Sequence, residues 1–170
     1  MPAGSTYTPI ATTTLGSSQT TVSFSSIPAT YTDLVLVMVH KGTGAASAAN
    51  GYIRFNSDSG SNYSKTQMLG VGVAQSQRAS NATQINWPFD DTEWTVTRFN
   101  IMNYANTTTF KTTLIRQDLG TYGTAAMVGL WRSTSAINAI SLTASDNQGG
   151  GTADQFVAGS TFTIYGIQAA

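Results

Sequence analysis

The sequence predicts an all-β domain, and three observations carry that expectation. Hydrophobicity alternates with a period of two along most of the 170 residues. Thr, which is β-branched and suits a pleated strand, is the commonest residue at 27, with 18 Ser beside it, while the good helix formers Glu and Lys number one and three. Connectors rich in Gly, Ser and Asn, at residues 42–50, 57–64 and 145–154, punctuate the chain. No segment reads as a helix longer than a turn or two.

The polar residues 1–8 are read as an extended N-terminal arm. Residues 20–25 alternate polar and apolar, and Ile27-Pro28 ends them. The stretch from Asp33 to His40 encloses the unbroken run Leu34-Val35-Leu36-Val37-Met38-Val39, the pattern of a central strand covered on both faces. Residues 51–56 alternate again, as do 67–73, where Gly70 and Gly72 mark a bulge or a close backbone approach. Residues 74–82 fit a loop as well as a strand. Residues 94–104 form the longest strand, which the loop 105–108 turns into 109–116 as a long hairpin. Strands at 126–132, 136–143 and 160–167 complete a set of about nine, which makes an antiparallel sandwich or barrel. No break in composition and no internal repeat divides residues 1–170, so a single domain is expected.

Charge is scarce: 16 residues are Asp, Glu, Lys or Arg, and the formal net charge is zero. The eight cationic residues are scattered, so the basic stripe of a nucleic-acid binder is missing and no such partner is expected. A near-neutral surface of Thr, Ser, Asn and Gly offers little repulsion and favours association. With no cysteine there is no disulfide, thiolate nucleophile or Cys-based metal site. The opening Met1-Pro2-Ala3-Gly4-Ser5-Thr6 lacks the basic start and apolar stretch of a signal peptide, and the longest apolar run is too short for a membrane span. A soluble protein made in a cytoplasm, without membrane contact, is the expectation.

Candidate chemistry is thin. The only histidine, His40, ends the most apolar strand, with Asp33 before the same strand and no Gly-x-Ser-x-Gly elbow, so a nucleophile triad is not assigned. Asp90, Asp91 and Glu93 sit together before Trp94. Paired carboxylates serve glycoside hydrolysis, but adjacent acids in a Pro-containing turn equally form a solvated loop or meet an Arg across a subunit interface. Asn56-x-Asp58-x-Gly60-x-Asn62 resembles half of a calcium loop, yet Met68 stands where the bidentate acid belongs, and Asx turns account for the same residues. Asp146, Asn147 and Asp154 are a similar case. Catalytic, cofactor and metal residues are therefore left unassigned, and no cofactor is expected. Aromatic residues within alternating runs, Phe24, Phe55, Phe99, Phe162 and Trp131, are assigned to the core. Those in turn-like segments, Tyr7, Tyr63, Trp87 and Tyr122, are assigned with Asp90 and Asp91 to a contact surface.

Five phrases extend this reading. They are Ser26-Ile27-Pro28-Ala29-Thr30-Tyr31-Thr32-Asp33, Phe55-Asn56-Ser57-Asp58-Ser59-Gly60-Ser61-Asn62-Tyr63, Met102-Asn103-Tyr104-Ala105-Asn106-Thr107-Thr108, Gly129-Leu130-Trp131-Arg132-Ser133-Thr134, and the ending Ala158-Gly159-Ser160-Thr161-Phe162-Thr163-Ile164-Tyr165-Gly166-Ile167. Together, and in this order, they resemble structural β-modules of tailed-bacteriophage virions, over most of the chain. The resemblance implies a jelly-roll-like sandwich of about eight to ten strands. It also implies a capsid decoration (cement) protein on the outer surface of the capsid, without enzymatic activity, a homotrimer seated between capsomers with the major capsid protein as partner. Similar modules also occur in tail fibres, and the alternative is a carbohydrate-binding module of a fibre or tail tip that recognises host glycan. A fibre adds a long shaft or an attachment segment, and this chain has neither, which favours the cement reading.

Overall fold

A computed structural model describes residues 6–44, 49–89, 93–146 and 154–168, and these contain twelve strands. In chain order they are β1 (Tyr7–Thr14), β2 (Thr21–Phe24), β3 (Asp33–His40), β4 (Ala49–Phe55), β5 (Tyr63–Val71), β6 (Val73–Ala82), β7 (Ile85–Pro88), β8 (Thr95–Met102), β9 (Lys111–Asp118), β10 (Thr124–Trp131), β11 (Ile140–Asp146) and β12 (Thr161–Ile167). A single 3₁₀ turn, Gly120–Tyr122, joins β9 to β10.

Every ladder is antiparallel, and four of them define the topology. β1 pairs with β12, β2 with β11, β3 with β8 and β4 with β7. The chain thus folds as one long hairpin with four rungs, first strand on last, and wraps into two sheets. That is a jelly roll. One sheet runs β2-β11-β4-β7 and the other begins β1-β12-β3-β8. Two further hairpins widen the second sheet to eight strands by adding β9-β10-β5-β6. β5–β6 leaves the chain between β4 and β7, and β9–β10 between β8 and β11. They meet through the β10–β5 ladder.

The alternation read from the sequence sets what lies between the sheets. Leu34, Leu36 and Met38 of β3, Phe99 and Ile101 of β8, and Phe162 and Ile164 of β12 are buried against Ile53, Phe55 and Leu142 of the smaller sheet. Each such side chain contributes about 1.5–3 kcal/mol relative to exposure. Trp131 packs on Phe55 (centroids 5.6 Å) and stacks on Tyr63 (6.3 Å), and Trp87 meets Phe99 edge-on at 5.2 Å.

The all-β sandwich follows expectation, while its details need correction. Twelve strands replace the expected eight to ten. Tyr7 and Thr8 belong to β1, paired with Ile167 and Gly166, so the arm read over residues 1–8 does not reach that far; residues 1–5 lie outside the described residues. Pro9 hides this strand in the sequence and is tolerated because β1 is a sheet edge. Residues 74–82 are strand, because Gly72 takes φ +83° and closes a hairpin from β5 into β6. The last long strand but one starts at Ile140, not residue 136, because the carbonyls of Asn138 and Ala139 accept from Ile27 N (3.0 Å) and Asn56 N (2.9 Å). β8 and β9 form the expected long hairpin.

Candidate interaction surface

The polar groups singled out in the sequence are engaged in holding the fold. His40 is buried with Nε2 between the hydroxyls of Thr97 (3.1 Å) and Thr95 (3.2 Å) and its ring stacked on Phe89 at 5.0 Å. Asp33 stands at the far end of β3, about 23 Å away at the rise of a strand. It accepts there from Asn103 N at 2.7 Å, so the two do not converge. Glu93 accepts from Thr121 N at 2.9 Å and so fastens the 3₁₀ turn. Asp90 and Asp91 lie outside the described residues.

In the loop that resembles a calcium site, the oxygens point at protein donors. Asn56 Oδ1 accepts from Asn138 N and Ala139 N, and its Nδ2 donates to Ala136 O. Burial alone would raise the Asp58 carboxyl. Three donors outweigh it and hold it below the ordinary carboxylate value: Trp131 Nε1 at 2.7 Å, Asn62 Nδ2 at 2.9 Å and Gly60 N at 2.8 Å. Asp154, which is buried, accepts through Oδ1 from Thr43 N and Gln155 N, both at 2.8 Å. The Asp146 side chain and Asn147 lie outside the described residues.

The aromatic assignments divide. Tyr63 and Trp87 are each 0 % exposed, which removes both from the contact surface. The neighbouring Asn62 and Pro88 give their segments a turn-like look, but both side chains occupy inward positions of β5 and β7. The Tyr63 hydroxyl accepts from Phe55 N (3.1 Å) and donates to Asp58 O (3.2 Å), and burial, the largest cause, pushes it up to about 12. The indole of Trp87 fills the space above Gly51, its register partner on β4. Tyr7 and Tyr122 are exposed. They are not brought together: Tyr7 opens β1, whereas Tyr122 sits on the turn at the opposite end of the sheet.

What the chain does assemble is the outer face of the eight-stranded sheet. The outward positions of β3 are Val35, Val37 and Val39; those of β8 include Val96, Arg98 and Met102; those of β9, β10 and β5 include Leu114, Ala126, Val128 and Met68. Cross-strand registry sets them side by side, Val39 opposite Val96, Leu114 opposite Val128, and Ala126 opposite Met68. Val39, Met68, Val96, Met102, Leu114 and Val128 are all substantially exposed. The unbroken apolar run of β3 was expected to be covered on both faces; its inner face is covered throughout, while on the outer face Val35 is buried, Val37 half-buried and Val39 exposed. Part of the outer face is roofed locally: Arg98 donates to the Tyr7 hydroxyl at 2.9 Å, and Tyr7 packs edge-on against Tyr165. Between Arg98 and Arg116 on one side and Met68 on the other, the small residues Gly70, Ala74 and Ala126 leave an open groove of about 750 Å³ that Val96 also lines. Arg116, directly opposite Arg98, has no hydrogen-bond or ion-pair partner among the described residues. The sequence signal for this surface was the apolar run itself, together with valine and leucine at positions that alternation turns away from the core.

No family model matches the chain, and no curated protein matches it. Among solved structures, a protein of unknown function from Shewanella oneidensis MR-1 is similar at 9 % identity with a TM-score of 0.28, over 100 % of this chain and 82 % of that one.

Proposed function

We propose that this chain is a structural protein of a tailed-phage virion, a capsid decoration protein that lies on the outer surface of the shell and bridges major capsid protein subunits. One observation supports this reading above the others: a near-neutral jelly roll leaves apolar side chains exposed across β3, β8, β9, β10 and β5 on the outer face of its larger sheet. Soluble monomers rarely leave large contiguous apolar patches uncovered, and such patches mark interaction surfaces. In this reading the patch seats on the shell. The work of separating capsomers rises with each contact, because about 1,600 Å² is removed from water in an interface of standard size and many copies act together. The trimer that the sequence resemblance implies supplies that repetition. The glycan-binding alternative draws less support, since Trp87, Trp131 and Tyr63 are interior and the Asp58 loop is internally bonded.

The first test is the number of copies per virion, measured by quantitative mass spectrometry against the major capsid protein. Parity or a simple fraction of it is expected; a handful of copies per particle would refute a shell location. The second is binding of the Val96→Asp and Ala126→Asp variants to undecorated shells. Both positions are outward, so the expected outcome is a folded protein that no longer binds.

A further inference from the structure

We propose that β6 is a self-association edge: β6 of a second copy adds to it antiparallel, joining two eight-stranded sheets across a twofold axis. This goes beyond the virion reading and does not depend on it, because it concerns how copies meet one another.

A free sheet edge is a template for another strand, and proteins blunt such edges with proline, charge, bulges or brevity. Three of the four edges here are blunted. β1 carries Pro9 and a register shift beside it, β2 has four residues, and β7 has four residues ending in Pro88. β6 is not blunted in this way. It has ten residues, no proline, and Arg78 as its single charge, and among the described residues it pairs only with β5. Its one irregularity lies near the end, by Asn81 at φ 54°, and leaves residues 73–79 in unbroken register.

β6 is also wet on both faces. Eight of its ten residues are exposed, because β7 ends the smaller sheet beneath β10 and β5. Among the described residues β6 thus has a neighbour on one side only, β5, and no packed layer beneath it. The two large apolar residues left bare on the hairpin, Val73 at 72 % and Met68 at 63 %, lie at or beside this edge, and Val73 is the most exposed of its kind among the described residues.

A second copy fits by charge and by extent. Antiparallel pairing of identical strands is isologous. With one cation and no acid along β6, Arg78 meets a neutral residue in every register except the one centred on itself. The chain as a whole is neutral, so two copies do not repel at long range. The regular part of β6 rises about 24 Å and exchanges about seven backbone hydrogen bonds with its copy, within the range of a standard interface.

Sedimentation velocity of the full chain from about 1 µM to about 1 mM, with hydrogen exchange on the same samples, tests this. The expected species contain an even number of copies, two, or six where trimers also form, and β6 amides gain protection as concentration rises. The double variant Gln75→Lys/Gln77→Lys places like charges along the exposed edge and is expected to remove the even species, while its melting temperature matches the wild type at dilutions where both are dissociated. Species of one or three copies only would overturn the proposal. So would an even species that survives the lysines or leaves β6 unprotected, which would assign association to the apolar outer face. Shell binding by the same lysine variant is a separate readout and tests the virion reading alone.

Discussion

Gly51→Ala is the smallest change expected to have a large effect. A Cβ built on Gly51 lies 2.1 Å from Cε2, 2.2 Å from Cζ2 and 2.5 Å from Nε1 of Trp87. Carbon atoms rest at about 3.5–4.0 Å, so the indole must retreat by about 1.4 Å or more, or β4 must part from β7. Neither is easy. Trp87 is fully buried and abuts Phe99, and Gly51 and Trp87 are register partners in a ladder only four residues long. Overpacking of this kind costs about 1–3 kcal/mol, and the severity of the clash puts Gly51→Ala near the top of that range. For a chain of this size, about 3 kcal/mol lowers the melting temperature by about 6–12 °C. Urea unfolding and thermal melts followed by near-ultraviolet circular dichroism read both quantities. The Trp87→Phe variant removes the obstructing ring, so Gly51→Ala is expected to cost much less in that background. A cost below about 0.5 kcal/mol in the wild-type background, or equal costs in the two backgrounds, would refute the packing argument.

Three other outcomes are expected. Asp58→Asn removes a carboxylate held below its ordinary value, so the wild type gains stability from this group above the carboxylate range and loses it as pH falls through the lowered value; thermal melts from pH 7 to pH 2 should show a smaller acid loss in the variant. At alkaline pH, Tyr63 has a folded value raised to about 12, so its contribution is complete below about 10 and is lost as pH rises towards 12; Tyr63→Phe should flatten that decline in urea titrations. Lys111 is fully buried, with Nζ donating to the carbonyls of Thr109 (2.7 Å) and Thr134 (3.3 Å), and burial lowers its value. The unfolded chain therefore binds the proton more tightly, stability from this group rises as pH climbs towards the ordinary lysine value, and Lys111→Met should abolish that rise.

The sequence made strands legible wherever one face is buried. β3 is read to its last residue because its inward and outward positions are both apolar, and the β8–β9 hairpin is plain because alternation persists on both sides of a polar turn. β6 was illegible for a physical reason: with both faces wet, Ser76, Gln77 and Ser80 meet no requirement for a period. β1 was obscured by Pro9, and β7 by its brevity. Burial of Tyr63 and Trp87 could not be read locally, since the neighbouring Asn62 and Pro88 look turn-like and the inward positions are set by pairing with the distant strands β10 and β4. The sites that drew attention as chemistry, His40 and the Asp58 loop, contain the right atoms, but their bonds are made by residues distant in sequence: Thr97 for one, Trp131 and Asn138 for the other. The outer apolar face was visible in part, as more valine in β3 than a single core layer needs.

The nesting of the ladders also sets an order of events during folding. The β4–β7 rung is innermost, and each rung outside it joins strands farther apart along the chain, until Tyr7 is matched with Ile167. Such long-range closure places the protein among slow folders, in the millisecond-to-second range typical of all-β sandwiches. β12 lies between β1 and β3, so until residues 161–167 have left the ribosome the first strand has no neighbour and the most apolar strand lacks one of its two. The closing strand is thus the last of the twelve to be synthesised. A nascent chain that has not yet reached β12 exposes one edge of β3, the most apolar strand, to other chains.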